Sequence, residues 1–151
     1  MDEEYNWLLL KNQVGFPVYL CSKEMLNQYA RLLKPLDLTY TQYVVMMYFW
    51  EKKSSNVKRL SETLLLDPST LTPVLKRLEQ KGYLCRERNT EDERNLTVAL
   101  TEAGLQLRRK ATPVPEAMKD HLGLTNDEFV TLYHLLYRML QNLENTKEKE
   151  G

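Results

Sequence analysis

The sequence predicts a mainly α-helical chain with a small β-hairpin, a winged helix-turn-helix that lies between N- and C-terminal dimerisation helices. Two short helices are predicted at residues 57–66 and 67–81, separated only by a tight turn at the Asp67-Pro68 pair. The Asp67 side chain is expected to accept a capping hydrogen bond at the start of the second helix, with Pro68 at its first helical position. A hairpin is predicted next, because residues 83–88 and 95–100 flank a short charged loop. Near the C-terminus, apolar residues recur at alternating steps of three and four, which is typical of a coiled-coil-like seam.

The N-terminal third is predicted to be helical, since its apolar residues recur at three- and four-residue steps along one stripe. Gly15 and Pro17 interrupt this stripe, and Pro17 is expected to start or kink the helix. The stripe consists of Val18, Cys21, Met25, Tyr29 and Leu32.

Capping signals predict two further helices. Thr39 with Gln42, and Thr125 with Glu128, have the spacing of a capping box. In this motif the side chain of each residue accepts a hydrogen bond from the backbone N–H of the other. The first box opens a helix over residues 40–51 that is apolar on almost every side, so we expect that helix to be buried.

The last helix is predicted to end at about Asn145, with a solvated, fraying tail beyond it. Its seam needs a partner, and the N-terminal stripe lies at the other end of the chain, so both are predicted to form a homodimer interface. We expect a single domain over residues 1–151, with a winged core at about 38–100 and dimerisation helices at about 4–34 and 101–146. The seam consists of Phe129, Leu132, Leu136, Met139 and Leu143.

Prolines are expected to disturb the helices at two places. Pro73 lies inside the second helix of the helix-turn-helix, where it should leave the Ser69 carbonyl without a partner and bend the axis. After the hairpin, a helix is predicted from Thr101 through Lys110, and the two prolines that follow should weaken its continuation.

The composition is that of an ordinary globular protein, with 28% charged and 42% hydrophobic residues in 151. The formal net charge is zero, which argues against nucleic-acid binding unless the charges are segregated. Residues 57–88 carry seven cations and four anions, a local net charge of +3. The sequence has neither an apolar run long enough to span a bilayer nor a cleavable leader, so a cytoplasmic protein without membrane contact is predicted.

The sequence contains little that indicates a catalytic site or a metal-binding site. Cys21 and Cys85 match no disulfide scaffold and no zinc spacing, and His121 and His134 are too few for a histidine-based metal site. There is no nucleophile-plus-base pair and no glycine-rich phosphate loop. We therefore expect no enzyme, no metal and no cofactor.

With these residues, the chain resembles the MarR family of bacterial transcriptional regulators over roughly residues 8–143. The likeness rests on the segments Leu38-Thr39-Tyr40-Thr41-Gln42-Tyr43, Asp67-Pro68-Ser69-Thr70-Leu71-Thr72-Pro73-Val74-Leu75-Lys76-Arg77-Leu78-Glu79, Asp92-Glu93-Arg94-Asn95 and Leu100-Thr101-Glu102-Ala103-Gly104. The resemblance implies a homodimer with intertwined terminal helices, recognition helices in successive major grooves, and a wing with an Asp-x-Arg motif, here Asp92 and Arg94.

Within that family, the chain is most similar to the organic-hydroperoxide and thiol-based oxidant sensors. Phe16-Pro17-Val18-Tyr19 and residues 38–43 carry this likeness. Those sensors place a reactive cysteine immediately before the phenylalanine that matches Phe16, whereas this chain has Gly15 there. The tyrosines that hydrogen-bond the sensing cysteine in that subgroup match Tyr19, Tyr29 and Tyr40.

The DNA-binding candidates combine small hydroxyl side chains, which allow close approach to bases, with cations that meet phosphates. Asp92 is expected to form an internal salt bridge in the wing, because phosphate would repel it, while Arg94 reaches the duplex. The alternative for the helix is an ordinary solvated surface, with Thr70 acting as a local cap partner. The candidates are Ser69, Thr70, Thr72, Lys76, Arg77, Arg86, Arg88, Arg94 and Asn95.

A sensor or ligand pocket is a further candidate site, formed by Gly15, Tyr19, Cys21, Tyr29 and Tyr40. The tyrosines are equally consistent with core aromatics whose hydroxyls are satisfied. Cys21 is expected to be a small buried hydrophobe, and the alternative is a redox-active thiolate, which would need a nearby cation or hydrogen-bond donor.

The function predicted from these features is a sequence-specific transcriptional regulator, a repressor that binds a pseudo-palindromic double-stranded operator as a homodimer. An oxidant or a small molecule is expected to release it. The alternative is a winged-helix module that binds protein without specific DNA binding, and the neutral net charge is the best support for that alternative.

Overall fold

The structure is a computed structural model that describes residues 3–88 and 96–151. Two compact units are present, Met1–Val114 and Pro115–Gly151. The prediction of a mainly helical chain with a small β-hairpin is confirmed. The elements are α1 (Gly15–Leu33), α2 (Tyr40–Lys52), β1 (Ser54–Asn56), α3 (Val57–Leu64), α4 (Pro68–Gln80), β2 (Leu84–Arg88), β3 (Leu96–Leu100), α5 (Glu102–Ala111), α6 (Pro113–Leu122) and α7 (Asn126–Glu150), with short 3-10 helices at Glu3–Leu8, Leu10–Asn12 and Lys34–Leu36.

The α2 helix forms the centre of the core in the first unit. Val45, Met46 and Phe49 are fully buried, which confirms the prediction of a buried helix here. The capping box at its start is formed as predicted: the Thr39 N–H donates to Gln42 Oε1 at 3.1 Å, and the Gln42 N–H donates to Thr39 Oγ1 at 3.2 Å. The box fixes where α2 begins, so it also fixes which residues of α2 face the core.

The turn between α3 and α4 is tight and internally braced. The α3 helix ends two residues earlier than predicted, because Leu65 adopts a left-handed conformation with a φ of 53°. The Ser61 hydroxyl donates to the Leu66 carbonyl at 2.5 Å. Asp67 occupies the N-cap of α4, but its side chain accepts no capping hydrogen bond, so the predicted side-chain cap is wrong. Its backbone carbonyl accepts from the Thr70 N–H at 3.0 Å instead.

The α4 helix continues through Pro73 to Gln80. Because proline has no N–H, Pro73 cannot donate to the Ser69 carbonyl four residues earlier, as the sequence predicted. In the first turn of α4, next to this missing bond, the Thr72 hydroxyl donates a side-chain hydrogen bond to the Pro68 carbonyl at 2.8 Å.

The sheet has three antiparallel strands in the order β1-β3-β2. The predicted hairpin is confirmed, with Leu84 opposite Leu100 and Arg88 opposite Leu96. The β1 strand was not predicted, since its three residues are Ser54-Ser55-Asn56 and show no apolar alternation. Its pairing with β3 attaches the hairpin to the end of α2.

Gly104 lies where α5 approaches the hairpin most closely. Thr101 caps α5 by accepting from the Gly104 N–H at 3.1 Å, and the Trp50 indole N–H donates to the Gly104 carbonyl at 2.8 Å in a buried contact. A Cβ on Gly104 would lie only 2.3 Å from the Tyr83 carbonyl oxygen. The glycine in the Thr-Glu-Ala-Gly segment is therefore required by a close backbone approach.

Two helices at the C-terminus differ from the predictions. The α6 helix begins at Pro113, a position that proline tolerates because the first helical N–H has no partner in any case. The α7 helix reaches Glu150, five residues past the predicted end, so the tail that was expected to fray is helical, and it is exposed to solvent as predicted. The tail residues are lysines and glutamates, which favour helix, and Lys147 forms an ion pair with Glu144 at 3.2 Å.

Each unit of the single chain carries a large exposed apolar surface. In the first unit it includes Trp7, which is 81% exposed, and Leu8. In the second unit, none of the α7 side chains is buried, and four of the five seam residues are exposed: Leu132, Leu136, Met139 and Leu143. Exposed apolar residues grouped in this way are typical of a surface that a protein partner covers.

The substitution Gly104→Ala should destabilise the fold by about 1–3 kcal/mol, because the new methyl group would overlap the Tyr83 carbonyl and force backbone shifts. Urea unfolding followed by circular dichroism at a fixed protein concentration measures this loss. Ala103→Ser, at the exposed preceding position, is the matched control and should change stability by less than about 0.5 kcal/mol. Equal stability of the two variants would contradict the close contact.

Candidate nucleic-acid interface

The α4 helix has one buried face and one exposed face. Leu71, Leu75 and Leu78 recur at helical spacing and are almost completely buried. This anchoring leaves the other face in solvent, and that face carries five of the predicted DNA-binding residues, all exposed: Ser69, Thr70, Thr72, Lys76 and Arg77. The exposed face begins with hydroxyl groups and ends with cations, which is the order expected of a helix that reads base edges and contacts phosphates.

Two of the predicted contact residues already have partners in the structure. The Thr72 hydroxyl donates to the Pro68 carbonyl, so only its oxygen lone pairs remain for a ligand. The Arg86 Nε donates to Glu79 Oε1 at 2.6 Å, an ion pair that joins β2 to α4. Arg86 therefore helps to fix the hairpin against the exposed helix, and the other nitrogens of its guanidinium remain as donors.

Only one of the remaining predicted residues lies within the described part of the chain. Arg88 is the last residue of β2. Asp92, Arg94 and Asn95 lie outside the described residues, so their predicted roles in the wing stay predictions.

Lys81 was not predicted, although it holds the end of α4 in place. Its ammonium group donates to the Asp37 carbonyl and to Gln42 Oε1 at 3.4 Å, and it lies 3.3 Å from Asp37 Oδ2. Asp37 is in the left-handed conformation, with a φ of 54°, in the turn between α1 and α2. These contacts join residues about forty positions apart, so no local sequence pattern could have revealed them.

Three tyrosines form a cluster between α1 and α2. The ring centroids of Tyr29 and Tyr40 are 4.6 Å apart, and that of Tyr43 lies 6.2 Å from Tyr29. Burial raises the pKa of Tyr43 above its ordinary value, and the neighbouring phenols raise it further. Burial, and then Tyr40, raise the pKa of Tyr29 in the same way. Both phenols are therefore neutral at physiological pH, so each keeps an O–H that is able to donate a hydrogen bond.

The other residues of the predicted pocket, Gly15, Tyr19 and Cys21, lie far from this tyrosine cluster. Along a helix that rises about 1.5 Å per residue, Gly15 lies about 21 Å from Tyr29 and Tyr19 about 15 Å from it. Tyr19 is 63% exposed. Cys21 is exposed as well, so the expectation of a buried side chain is wrong for the single chain. A pocket that contains all five predicted residues would need a second chain.

Within residues 3–88 and 96–151, no helix is long and apolar enough to cross a membrane. The same part of the chain contains no group of three or more histidine, cysteine, aspartate or glutamate side chains placed to hold a metal ion.

Comparison with known sequences identifies similar proteins over almost the whole chain. A sequence family described as transcriptional regulator SarA/Rot matches residues 27–110. The organic hydroperoxide resistance transcriptional regulator of Bacillus subtilis is 38% identical over 143 residues, which cover 95% of this chain and 97% of that protein. The HTH-type transcriptional regulator SarZ of Staphylococcus aureus (strain USA300) is 46% identical over 119 residues, which cover 79% of this chain and 80% of SarZ.

Solved structures with the same fold include complexes with DNA. AbfR of Staphylococcus epidermidis has a TM-score of 0.75 at 32% identity, covering 95% of this chain and 99% of that one. Reduced AbfR bound to DNA gives the same score at 33% identity, with 93% and 98% covered. A mutant MarR from E. coli complexed with operator DNA has a TM-score of 0.79 at 27% identity, with 93% and 99% covered.

Proposed function

Since the chain belongs to the MarR family of transcriptional regulators, and within it to the organic-hydroperoxide-sensing type, we propose that it is a homodimeric repressor that binds a pseudo-palindromic operator. The observation that carries this proposal is the exposed face of α4, where hydroxyl groups and cations lie beside an antiparallel hairpin. A protein-binding module would not need that order of side chains. The best support for a protein-binding module is the zero net charge of the chain, and the +3 charge of residues 57–88 offsets it.

The homodimer is supported by the exposed apolar surfaces of both units. Leu136 and Leu143 on α7, and Trp7 near the N-terminus, have no cover within the described chain that would hide them from water. A second copy would cover such surfaces and would also present a second α4 helix. Two recognition helices about 34 Å apart can enter successive major grooves of one duplex.

The signal is an organic hydroperoxide or a small molecule. The Bacillus subtilis relative is named for organic hydroperoxide resistance, and overoxidised AbfR has been solved on DNA. In this chain the position before Phe16 is Gly15, which has no thiol. Two routes then remain for the signal: one of the free thiols, Cys21 or Cys85, or a ligand site.

The protein has no catalytic role in this proposal, and it acts in the cytoplasm, where the chromosome is. An oxidant would react with it once per thiol rather than in turnover, because nothing in the described residues provides a nucleophile with an adjacent base.

Arg77→Ala and Arg94→Ala should each weaken operator binding without unfolding the protein. If each side chain contacts phosphate, its loss should weaken all DNA sequences alike and reduce the salt slope by about one per contact. Fluorescence anisotropy with a labelled operator measures the affinity, and circular dichroism checks the fold. Lys149→Ala, which removes an exposed cation from the last turn of α7, is the control and should leave the affinity unchanged.

Unchanged operator affinity in both arginine variants, with the fold intact, would refute the assignment of α4 and the wing to DNA. A loss of equal size in Lys149→Ala would show that only the total charge of the protein matters.

The signal is tested with cumene hydroperoxide on three proteins: this chain, Cys21→Ser and Gly15→Cys. We expect release of DNA at low peroxide only from Gly15→Cys. The thiolate of that variant would be oxidised to a sulfenic acid by the peroxide. Tyr19, one helical turn away, is the tyrosine of the same chain close enough to donate a hydrogen bond to the thiolate. The measured quantity is operator affinity before and after peroxide, with free thiols counted in parallel.

Sensitive release by the unmodified chain that vanishes in Cys21→Ser would identify Cys21 as the sensor and contradict this expectation. Release by none of the three proteins would contradict the peroxide route and favour a small-molecule effector.

A further inference from the structure

A cleft of about 330 Å³ lies where α1, the following turn, the start of α2 and the end of α4 meet. This size is near the lower end of the range for small-molecule sites. The polar residues that line it are Lys34, Asp37, Thr39, Gln42, Arg77 and Lys81. The cleft is separate from the tyrosine cluster, since none of the three tyrosines lines it.

The charges in the cleft are unbalanced. Lys34, Arg77 and Lys81 provide three cations, and Asp37 provides one carboxylate, so the lining carries a formal charge of +2. Lys81 is paired with Asp37 at 3.3 Å. Within the described part of the chain, the side chains of Lys34 and Arg77 form no ion pair and no hydrogen bond. Two cations therefore line one cleft without an ion-pair partner of their own.

A buried amide adds a further donor. Gln42 is only 8% exposed. Its Oε1 accepts from the Thr39 N–H and from Lys81. Its Nε2 donates to no described residue, although Gln42 lines the cleft. No buried side-chain nitrogen or oxygen of the described residues lacks a hydrogen-bond partner, so this Nε2 is reached by solvent and can donate to water or to a ligand.

The pattern of donors indicates the chemistry of the ligand. Two ammonium groups, a guanidinium and an amide N–H₂ supply donors only, and the excess charge of +2 matches a dianion with several acceptor oxygens. A phosphate or a phosphomonoester meets both requirements near neutral pH. A neutral ligand would leave the charge uncompensated, and a monocarboxylate would compensate half of it.

Arg77 connects this cleft to the exposed face of α4. It follows Thr70 by seven residues, which is two helical turns, so both side chains lie on nearly the same side of α4 and about 10 Å apart along its axis. One guanidinium thus lies at the junction between the cleft and the DNA-binding face. An anion bound in the cleft would offset the charge of this guanidinium and draw it away from a DNA phosphate.

We propose that the cleft binds a small phosphate-type dianion, and that its occupant holds Arg77 away from the operator and so lowers the affinity for DNA. This regulation rests on the proposed function, because it needs an operator complex to weaken. It is independent of the thiols, since neither Cys21 nor Cys85 lines the cleft.

The first measurement uses no DNA. Isothermal titration calorimetry with inorganic phosphate and with glycerol 3-phosphate, in a phosphate-free buffer, should show saturable binding to the full-length protein. Lys34→Gln should weaken this binding at least tenfold. Lys23→Gln, which neutralises an exposed lysine of α1 about 16 Å from the end of that helix at Lys34, is the matched control and should bind normally. Sodium acetate is the monoanion probe and should bind at least tenfold more weakly than phosphate.

The second measurement follows operator affinity by fluorescence anisotropy in phosphate and in potassium chloride of the same ionic strength, because salt alone weakens DNA binding. Phosphate should reduce the affinity at least threefold more than chloride does. Lys34→Gln should bind the operator normally without phosphate and should lose the extra phosphate effect.

Three results would overturn the proposal: no saturable phosphate binding, phosphate binding that Lys34→Gln leaves unchanged, or binding that has no effect on operator affinity beyond that of chloride. Acetate binding as tight as phosphate would overturn the dianion assignment. If Lys34→Gln weakens operator binding in the absence of phosphate, the occupant is a phosphate of the DNA itself rather than a free effector. A chain that never binds operator would contradict the proposed function, and the calorimetry would still test the cleft.

Discussion

The buried position of α2 is the constraint on which the rest of the winged unit depends. The α1, α4 and α5 helices and the β1 and β3 strands all pack against it. Its start is fixed by the Thr39–Gln42 box, and near its end the Trp50 indole is bonded to Gly104 of α5. Since α2 has no polar side to present to solvent, the surrounding elements must cover it, and this leaves one defined orientation for α4.

That orientation explains how a chain of zero net charge can present a basic surface. The leucines on one side of α4 are buried in the core, so the hydroxyl groups and cations on the other side face solvent. The ion pair between Arg86 and Glu79 then attaches the hairpin to the same helix. Lys81 fixes the same C-terminal end of α4 to the turn at Asp37. A movement of α1 would therefore be transmitted to α4 through this turn.

The parts of the fold that were predictable from sequence are those with local signals. The capping boxes at Thr39 and Thr125 place helix starts correctly, because both partners are three residues apart. The helix-turn-helix and the hairpin follow from apolar spacing and turn residues. Local signals also misled, since Asp67 has the right residue type for a side-chain cap and yet does not form one.

The parts that were not predictable depend on contacts between distant segments. The β1 strand exists because β3 offers it a pairing edge, and the requirement for glycine at position 104 arises from the Tyr83 carbonyl on another element. The cleft that contains Lys34, Arg77 and Lys81 is assembled from α1, the turn after it, the start of α2 and the end of α4. Conversely, Gly15, Tyr19 and Tyr29 share one helix in the sequence but are separated along its length, so their expected pocket is not formed in one chain.

The central claim, that α4 and the hairpin of a homodimer bind DNA, is tested most directly by the salt dependence of operator binding. If Arg77 and Arg94 of both protomers contact phosphates, four counterion-releasing contacts are formed. The logarithm of the association constant should then fall linearly with the logarithm of the salt concentration, with a slope of about −3.6 or steeper. A slope near zero, or no binding to duplex DNA at low salt, would contradict the account.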